Sequence, residues 1–231
     1  MDAPCSGRGR GPAAPLLSFP DLTGLGVAGG LTLRVPGVDV RGEKPEVMAR
    51  LDSAIRAAAA ELAPGRALVT AGQVHGREVR VVREARAIEY AGCDALVTLR
   101  RDVVLGIAVA DCCPVWLVAD AARGLALVHA GRRGMELAIV PAALDALCRE
   151  AGVPAGCVRA FLGPCIRPPH YEVDVAGGLK AQLAAAGVRQ VADCGLDTAA
   201  DPARFYSYRI EKGRTGRMMA LGALPEQAAG G

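Results

Sequence analysis

The sequence VVLGIAVADCCPVWLVADAARGLALVHAG, residues 103–131, carries the strongest structural pattern in the chain. It contains three apolar runs, Val103–Ala110, Val115–Asp120 and Gly124–Ala130, each with the length and aliphatic composition of a buried strand. Only a short turn around Ala121–Arg123 separates the last two runs. The stretch therefore predicts three buried strands in succession.

The sequence on either side mixes further strands with a few helices. Three segments have helical composition: Lys44–Leu62, Met135–Glu150, in which Pro141 marks a kink or the true start, and Gly178–Ala186. Short β-rich segments predict strands: a pair within Leu22–Val35, then Glu78–Val82, Asp94–Thr98, Arg159–Leu162, Phe205–Ile210 and, after the turn Glu211–Gly216, Met218–Leu224. This mixture predicts an α/β (α+β layered) fold, a single domain with a mixed sheet flanked by helices.

Length and composition favour one domain. The chain has 231 residues, 52% of them hydrophobic but only 3% aromatic, so one core built from Ala, Val and Leu is expected. We expect residues 1–20 to be a disordered lead-in, residues 21–225 to form one catalytic domain, and residues 226–231 to be a loose tail. The net charge of +3 predicts no binding to nucleic acid, and no apolar run is long enough to cross a membrane.

Eight cysteines bear on the cellular compartment. Residues 1–20 lack the long hydrophobic stretch of a signal peptide, so a cytoplasmic location is expected. In a large apolar chain without such a signal, the cysteines are expected to be reduced thiols or metal ligands, with no disulfides.

Three residues that commonly bind metals lie at or beside the ends of different predicted strands. Cys112 lies in Ala110–Pro114, where Pro114 disfavours a continuous strand and predicts a bend. His129 ends the next strand, and His75 lies in a turn before another. The spacings of 37 and 17 residues fit no zinc finger but do fit a catalytic zinc site, in which three protein ligands leave one position for water.

Charged residues near these motifs suggest further roles. Asp111 or Glu172 is a candidate to orient that water or accept its proton. Arg132 and Arg133 can supply charge for binding phosphate, as can three further arginines, Arg209, Arg214 and Arg217.

Each motif also has an explanation without function. A cysteine in an apolar run is usually a small core residue, which we favour for Cys113 and weigh equally for Cys112. His129 can be a core histidine with satisfied hydrogen bonds, and His170 a surface or packing residue. The segment Gly131–Gly134 can be a solvated entry to a helix.

Taken together and in order, the motifs resemble the laccase-domain (polyphenol oxidase) family, now viewed as purine nucleoside phosphorylases. The matching segments are QVHG (73–76), ADC (110–112), VHAG (128–131), GP (163–164), YEV (171–173) and FYSYR (205–209) with GRTGRM (213–218). The resemblance implies zinc held by His75, Cys112 and His129, and a layered α/β fold. It also implies phosphorolysis of adenosine, inosine, guanosine and methylthioadenosine, with deamination of adenosine.

Two departures from the family pattern affect substrate range. The family's Thr-Arg-x-Gly-Gly-Val-Ser segment is reduced to Val27-Ala28-Gly29-Gly30, without its arginine. Its His-Ala-Gly-Trp-Arg-Gly segment has Arg132 in place of the tryptophan. The metal site should survive both changes, but the substrate range need not.

Three other functions compete with the phosphorylase. Copper-dependent oxidation of phenols ranks low, because a trinuclear copper cluster needs many imidazoles and the chain has three histidines. A metal-free hydrolase would use Cys112 as the nucleophile and His129 as the base. Whether the protein is a phosphorylase or such a hydrolase, we expect Cys112, His129 and Asp111 at the catalytic centre. A zinc-binding protein that has lost its activity is the third alternative.

Overall fold

A computed structural model describes residues 13–226 of the chain. Within them are five α-helices: α1 (Pro20–Gly24), α2 (Lys44–Leu62), α3 (Arg132–Glu136), α4 (Ile139–Ala151) and α5 (Val175–Ala185). There are twelve strands: β1 (Leu16–Ser18), β2 (Ala28–Thr32), β3 (Ala67–Gly72), β4 (Val79–Val81), β5 (Ile88–Ala91), β6 (Ala95–Thr98), β7 (Val103–Val109), β8 (Cys113–Ala119), β9 (Gly124–Ala130), β10 (Val158–Leu162), β11 (Gln190–Asp193) and β12 (Met218–Ala223).

The strands form two six-stranded mixed sheets, which confirms the layered α/β class and corrects the expectation of one sheet. The first has the order β1-β2-β12-β7-β3-β5, and the second β11-β10-β8-β9-β6-β4. Strand β7 pairs antiparallel with β12 and parallel with β3, while β10 pairs antiparallel with β8 and parallel with β11. The three central strands β7, β8 and β9 form as predicted, but the chain changes sheets between β7 and β8.

Two hydrophobic clusters hold these layers together. One lies between the sheets and extends to α2; it includes Trp116, Phe161 and Leu221. The other fills the space between the second sheet and helices α4 and α5. The only tryptophan is fully buried, and its Nε1–H donates to the carbonyl oxygen of Leu221 at 3.0 Å. That hydrogen bond satisfies a polar group that would be costly to bury alone, and it links the sheets across the core.

The bend predicted for both cysteines is right for Cys112 alone. Strand β8 begins at Cys113, and Pro114 pairs with His129 of β9. Proline is tolerated there because it is only the second residue of the strand, and its carbonyl oxygen still accepts from Gly163 N–H at 2.9 Å. The bend is confined to Asp111 and Cys112, and Asp111 has a left-handed φ of 83°.

The amino-terminal expectations need correction. Residues 16–18 form β1 on the edge of the first sheet, and Ala14 N–H donates to Ala54 of α2, so residues 13–20 are part of the fold. Residues 1–12 of the expected lead-in and residues 227–231 of the expected tail lie outside the described residues. The segment Leu22–Val35 contains the end of α1 and one strand, not two strands.

The predicted strand Phe205–Ile210 is wrong, because these residues form turns. Phe205 and Tyr206 are buried in the core between the sheets, which explains their apolar character. Their neighbours satisfy backbone groups through side chains: Ser207 N–H donates to Glu211 at 3.1 Å and Arg209 N–H donates to Asp111 at 2.7 Å. Backbone N–H groups that donate to side chains in this way are not available to pair with a neighbouring strand.

Other differences concern element boundaries. The predicted helix Met135–Glu150 divides at Ala138, which has a left-handed φ of 58°, and Pro141 lies in the first turn of α4. Helix α2 has the predicted bounds. Strands β1, β3, β5 and β11 were not predicted. Among the described residues, every helix is too short or too polar to span a membrane.

Candidate metal centre

Three elements bring His75, Cys112 and His129 together. Cys112 occupies the bend between β7 and β8, His129 lies in β9, and His75 follows β3 in a turn. One ligand atom from each side chain lies within 4.8 Å of the other two. His129 is buried, Cys112 is partly buried and His75 is exposed, so the cluster has one open side.

The buried side chain of Asp94 holds this cluster in place, a role that was not predicted from the sequence. Its fully buried carboxylate lies 2.8 Å from His129 Nδ1. The same carboxylate accepts the backbone N–H groups of Val74, His75 and Gly76 at 3.2, 2.9 and 2.8 Å. One side chain thus fixes both the ring of His129 and the turn that presents His75, and it stabilises the left-handed φ of 58° at His75.

The protonation of Asp94 follows from these contacts. Burial raises its pKa, but the hydrogen bonds from His129 and from the backbone of Gly76 and Val74 outweigh burial and bring the pKa to about 2. An ionised carboxylate can only accept, so His129 Nδ1 carries a proton and Nε2 remains as the donor atom for a metal. This carboxylate–histidine arrangement is the usual support for a metal-binding imidazole.

Cys112 is prepared to act as a thiolate. Burial raises its pKa, yet interactions with His129 and His75 lower it overall to about 6. Burial lowers the pKa of His129, whereas Asp94 and Cys112 raise it, overall to about 9. Without an ion, Cys112 and His129 therefore favour a thiolate–imidazolium pair near neutral pH.

Gly131 provides space beside the thiolate. A Cβ atom at this position would lie 2.5 Å from Cys112 Sγ, far inside van der Waals contact, and 3.8 Å from His75 Cδ2. The absence of a side chain therefore permits the close approach of Cys112 to the segment that follows His129.

The donor set fits a divalent metal ion of borderline softness. One thiolate and two imidazoles are common zinc ligands, and tetrahedral zinc separates its ligands by about 3.5 Å. The three donor atoms lie within 4.8 Å of one another, and the exposed side of the cluster leaves a fourth position accessible. The residues present can thus hold such an ion.

A cleft of about 720 Å³ opens above the cluster. Five cationic side chains are among those that line it: Lys44, Arg132, Arg133, Arg209 and Arg217. Tyr171 and Tyr208 contribute aromatic surface. The volume is typical of sites for small organic ligands, and the excess of positive charge favours a ligand with an anionic group.

Several of the predicted binding residues pair with one another at the rim. Arg132 Nε donates to Glu136 at 2.9 Å, and its Nη1 lies 3.9 Å from Glu172. Arg209 Nη2 donates to Glu172 at 3.0 Å. Arg133 lines the cleft and is exposed, and it makes no ion pair among the described residues. Glu172 thus contacts arginines and is not itself among the lining residues.

Asp111 lies in the cleft wall, but its oxygens are engaged. Oδ1 accepts from the hydroxyl of the buried Thr198 at 2.7 Å, and Oδ2 accepts from Arg209 N–H at 2.7 Å. Its carboxylate therefore anchors the turn at Arg209 to the bend that holds Cys112. His170 lies apart from the metal cluster, where its Nδ1 contacts Asp197 at 2.7 Å.

The fold and the cluster define a class: layered α/β proteins with a His–Cys–His group able to hold a metal ion. Within that class, the sequence model of the family described as multi-copper polyphenol oxidoreductase laccase matches residues 37–177 and 173–224. The chain belongs to this family, as its motifs predicted.

Named relatives extend this result. A purine nucleoside phosphorylase of Deinococcus radiodurans is 32% identical over 94% of this chain and 95% of its own length. One of Mycobacterium tuberculosis is 36% identical over 67% of this chain, although the match spans only 60% of that relative. A protein of an unknown prokaryote named adenosine deaminase is 36% identical over 46% of this chain and 43% of its own length.

A solved structure shows the same fold. The hypothetical protein YfiH of Bacillus licheniformis superimposes with a TM-score of 0.77 and 22% identity, covering 92% of this chain and 97% of that protein. At this identity the likeness concerns the fold alone.

Proposed function

We propose that this protein is a zinc-dependent purine nucleoside phosphorylase that also deaminates adenosine. The proposed substrates are adenosine, inosine, guanosine and methylthioadenosine, with inorganic phosphate. The observation that carries the proposal is the convergence of His75, Cys112 and His129 at a cationic cleft of about 720 Å³. The names of the relatives supply the reaction type.

The ligand residues have separable tasks in this proposal. His75 and His129 hold the ion through imidazole nitrogens and Cys112 through its thiolate; a bound zinc ion would act as a Lewis acid towards substrate or water. Asp94 keeps the His129 ring in the tautomer that leaves Nε2 free. Because the pKa of Cys112 is about 6, its thiol is largely ionised near neutral pH, and the proton that must leave when the metal binds is the one on His129, whose pKa is about 9.

The cleft walls would bind and orient the two reactants. In phosphorolysis, a phosphate oxygen forms a bond to ribose C1′ while the bond from C1′ to the purine nitrogen breaks, and the departing base takes the electron pair and then a proton. Cationic residues favour this step by holding the dianionic phosphate in line with C1′. Arg133 is the proposed contact at the start of α3, whereas Arg132 and Glu172 would act together at the rim.

Asp111 is proposed to act as a positioning residue. Its two oxygens accept from Thr198 and from the backbone of Arg209. We infer that it acts by holding these parts of the cleft together, since both oxygens already accept hydrogen bonds.

A metal-free hydrolase is the second candidate, because the Cys112–His129 pair has the pKa values of a thiolate–imidazolium pair. Alkylation of Cys112 distinguishes the two candidates. Loss of activity while the metal content stays unchanged would favour the hydrolase. Oxidation of phenols at a multinuclear copper cluster is not favoured. Such a cluster needs many imidazoles, and only two of the three histidines of the chain are in the His–Cys–His cluster.

A nucleoside panel tests the proposed function. The zinc-loaded protein is incubated with each purine nucleoside with and without phosphate, and free base, ribose 1-phosphate and ammonia are quantified. We expect base and ribose 1-phosphate only when phosphate is present, and ammonia from adenosine in either case. Cys112→Ser should lose both activities, whereas Cys148→Ser, which changes a thiol on α4 outside the cleft, should keep them. No product from any nucleoside would reject the proposal.

A further inference from the structure

The five arginines that the sequence offers for phosphate binding are not equivalent in the structure. Arg132 and Arg209 are already paired with glutamates at the rim of the cleft. Arg214 is exposed and does not line the cleft. Arg133 and Arg217 both line it without a carboxylate partner among the described residues, but only Arg217 is partly buried.

The guanidinium of Arg217 is held from one side. Its Nη1 donates to the carbonyl oxygens of Thr215 and Gly216 at 3.0 and 2.8 Å. The group also lies over the ring of Tyr208, with Cζ 5.6 Å from the ring centroid. These contacts fix one nitrogen, while Nε and Nη2 have no protein acceptor within residues 13–226.

An arginine in this state is suited to bind an oxyanion. Two adjacent N–H groups of a guanidinium match two oxygens of a phosphate, and prior fixation of the group reduces the conformational entropy lost on binding. Because the Arg217 side chain is partly buried, its charge is poorly solvated and its pKa is lowered, but the group stays cationic at neutral pH. A partly desolvated cation without a carboxylate partner gains more from an anionic ligand than an exposed one does.

We propose that Arg217 binds the inorganic phosphate through Nε and Nη2 and is the principal anion-binding residue of the cleft. This assignment rests on the proposed phosphorylase function for its reaction, but the binding of phosphate itself does not depend on turnover. Arg133 would be a weaker, secondary contact and Lys44 would add long-range attraction at the rim, because both side chains are exposed.

The test measures phosphate in two ways. Isothermal titration of inorganic phosphate into the zinc-loaded protein, without nucleoside, reports binding, and initial rates of inosine phosphorolysis report the KM for phosphate. Arg217→Gln should raise both the dissociation constant and this KM by roughly 10- to 100-fold, as expected for loss of charge-assisted hydrogen bonds. Arg217→Lys keeps the charge but not the paired N–H groups, and should give intermediate values.

Arg214→Gln is the matched control, because it removes an arginine three residues away that lies outside the cleft. It should leave both quantities within about twofold of the wild type, which is the range usual for an exposed surface charge. If the wild type phosphorolyses inosine and Arg217→Gln leaves the KM for phosphate unchanged, the assignment fails and the proposed function stands. If the wild type binds phosphate through Arg217 but cleaves no nucleoside, the assignment stands and the proposed function fails.

The variants must be folded for this comparison, which far-ultraviolet circular dichroism establishes. Should Arg217→Gln not fold, Arg217→Lys decides the question alone. A KM for phosphate equal to that of the wild type in the lysine variant would overturn the paired-donor geometry.

Discussion

The two walls of the cleft are built differently. The metal side, made by His75, Asp94, Cys112 and His129, lies at strand ends and their turns, with Asp94 and His129 at 0% and 3% exposure. The arginine side, made by Tyr208, Arg209 and Arg217, belongs to a segment (residues 205–217) that contains no strand, and Tyr208 is 55% exposed. Buried strands set ligand positions rigidly, whereas turns on the surface can change residues without disturbing the core.

One residue joins the two walls. Asp111 follows β7 in the same bend as Cys112, and its carboxylate accepts from Arg209 N–H on the arginine side. Changes to the metal side should therefore remove every activity, whereas changes to the arginine side should alter phosphate use while the metal remains bound.

Outside the three ligands themselves, the largest effect is expected for Asp94→Asn. The amide cannot supply the negative charge that the His129 ring and three backbone N–H groups now share, so metal affinity should fall by roughly 10- to 100-fold. Competition with a chromophoric zinc chelator measures the affinity. The control is Asp145→Asn, an exposed carboxylate on α4, which should match the wild type. Equal affinity in Asp94→Asn and wild type would mean that Asp94 does not support the ligands.

Gly131→Ala should weaken the metal side through crowding alone. Its Cβ would lie 2.5 Å from Cys112 Sγ, so the thiolate must move and the free energy of unfolding should drop by about 1–3 kcal/mol. Zinc affinity and urea denaturation are the measurements. Gly24→Ala, whose Cβ would meet nothing within 4 Å, is the control. An alanine at position 131 that binds zinc like glycine would show that Cys112 tolerates displacement.

Thr198→Val tests the connection between the walls. Valine has nearly the same shape but leaves Asp111 Oδ1 without its hydroxyl donor, which should cost about 1–3 kcal/mol in unfolding free energy. We expect the KM for phosphate to rise a few-fold while zinc content stays at the wild-type value, with Thr23→Val, at an exposed position, as control. A loss of zinc equal to that of ligand variants would place Asp111 on the metal side.

Arg132→Trp should have the smallest effect. Arg132 is half exposed and already interacts with Glu136 and Glu172, so restoring the family's tryptophan removes no free cation from the cleft. Saturation curves for phosphate and nucleoside should differ from the wild type by less than about twofold. A clear increase in the KM for phosphate would return Arg132 to the list of anion-binding residues.

The two walls also differ in how far the sequence predicts them. Strand β9 and helix α2 have strong local signals, an uninterrupted apolar run and an alanine-rich segment that begins at Pro45, and both were predicted with the observed bounds. The segment 205–210 looks like a strand because it is rich in aromatic residues, but Phe205 and Tyr206 are buried as part of the core between the sheets and Tyr208 is exposed. Amino-acid composition indicates which residues are buried, but it does not indicate which backbone N–H and C=O groups pair with a neighbouring strand.

Site residues divide in the same way. The three candidate ligands stand out because histidines are few and each ligand lies beside the end of a predicted strand. Asp94 does not stand out, because its partner His129 is 35 residues away in sequence. One signal was available: an acidic residue that opens an otherwise apolar, buried strand needs a hydrogen-bond partner. The difference between Arg217 and Arg214 depends on tertiary burial, for which their common motif gives no indication.

The central claim is that His75, Cys112 and His129 hold one metal ion, and elemental analysis tests it most directly. The purified protein should contain about one zinc per chain, and alanine at any of the three positions should reduce this to a small fraction, because two remaining ligands hold zinc weakly. Circular dichroism verifies that each variant is folded. Full zinc content in all three variants would contradict the account.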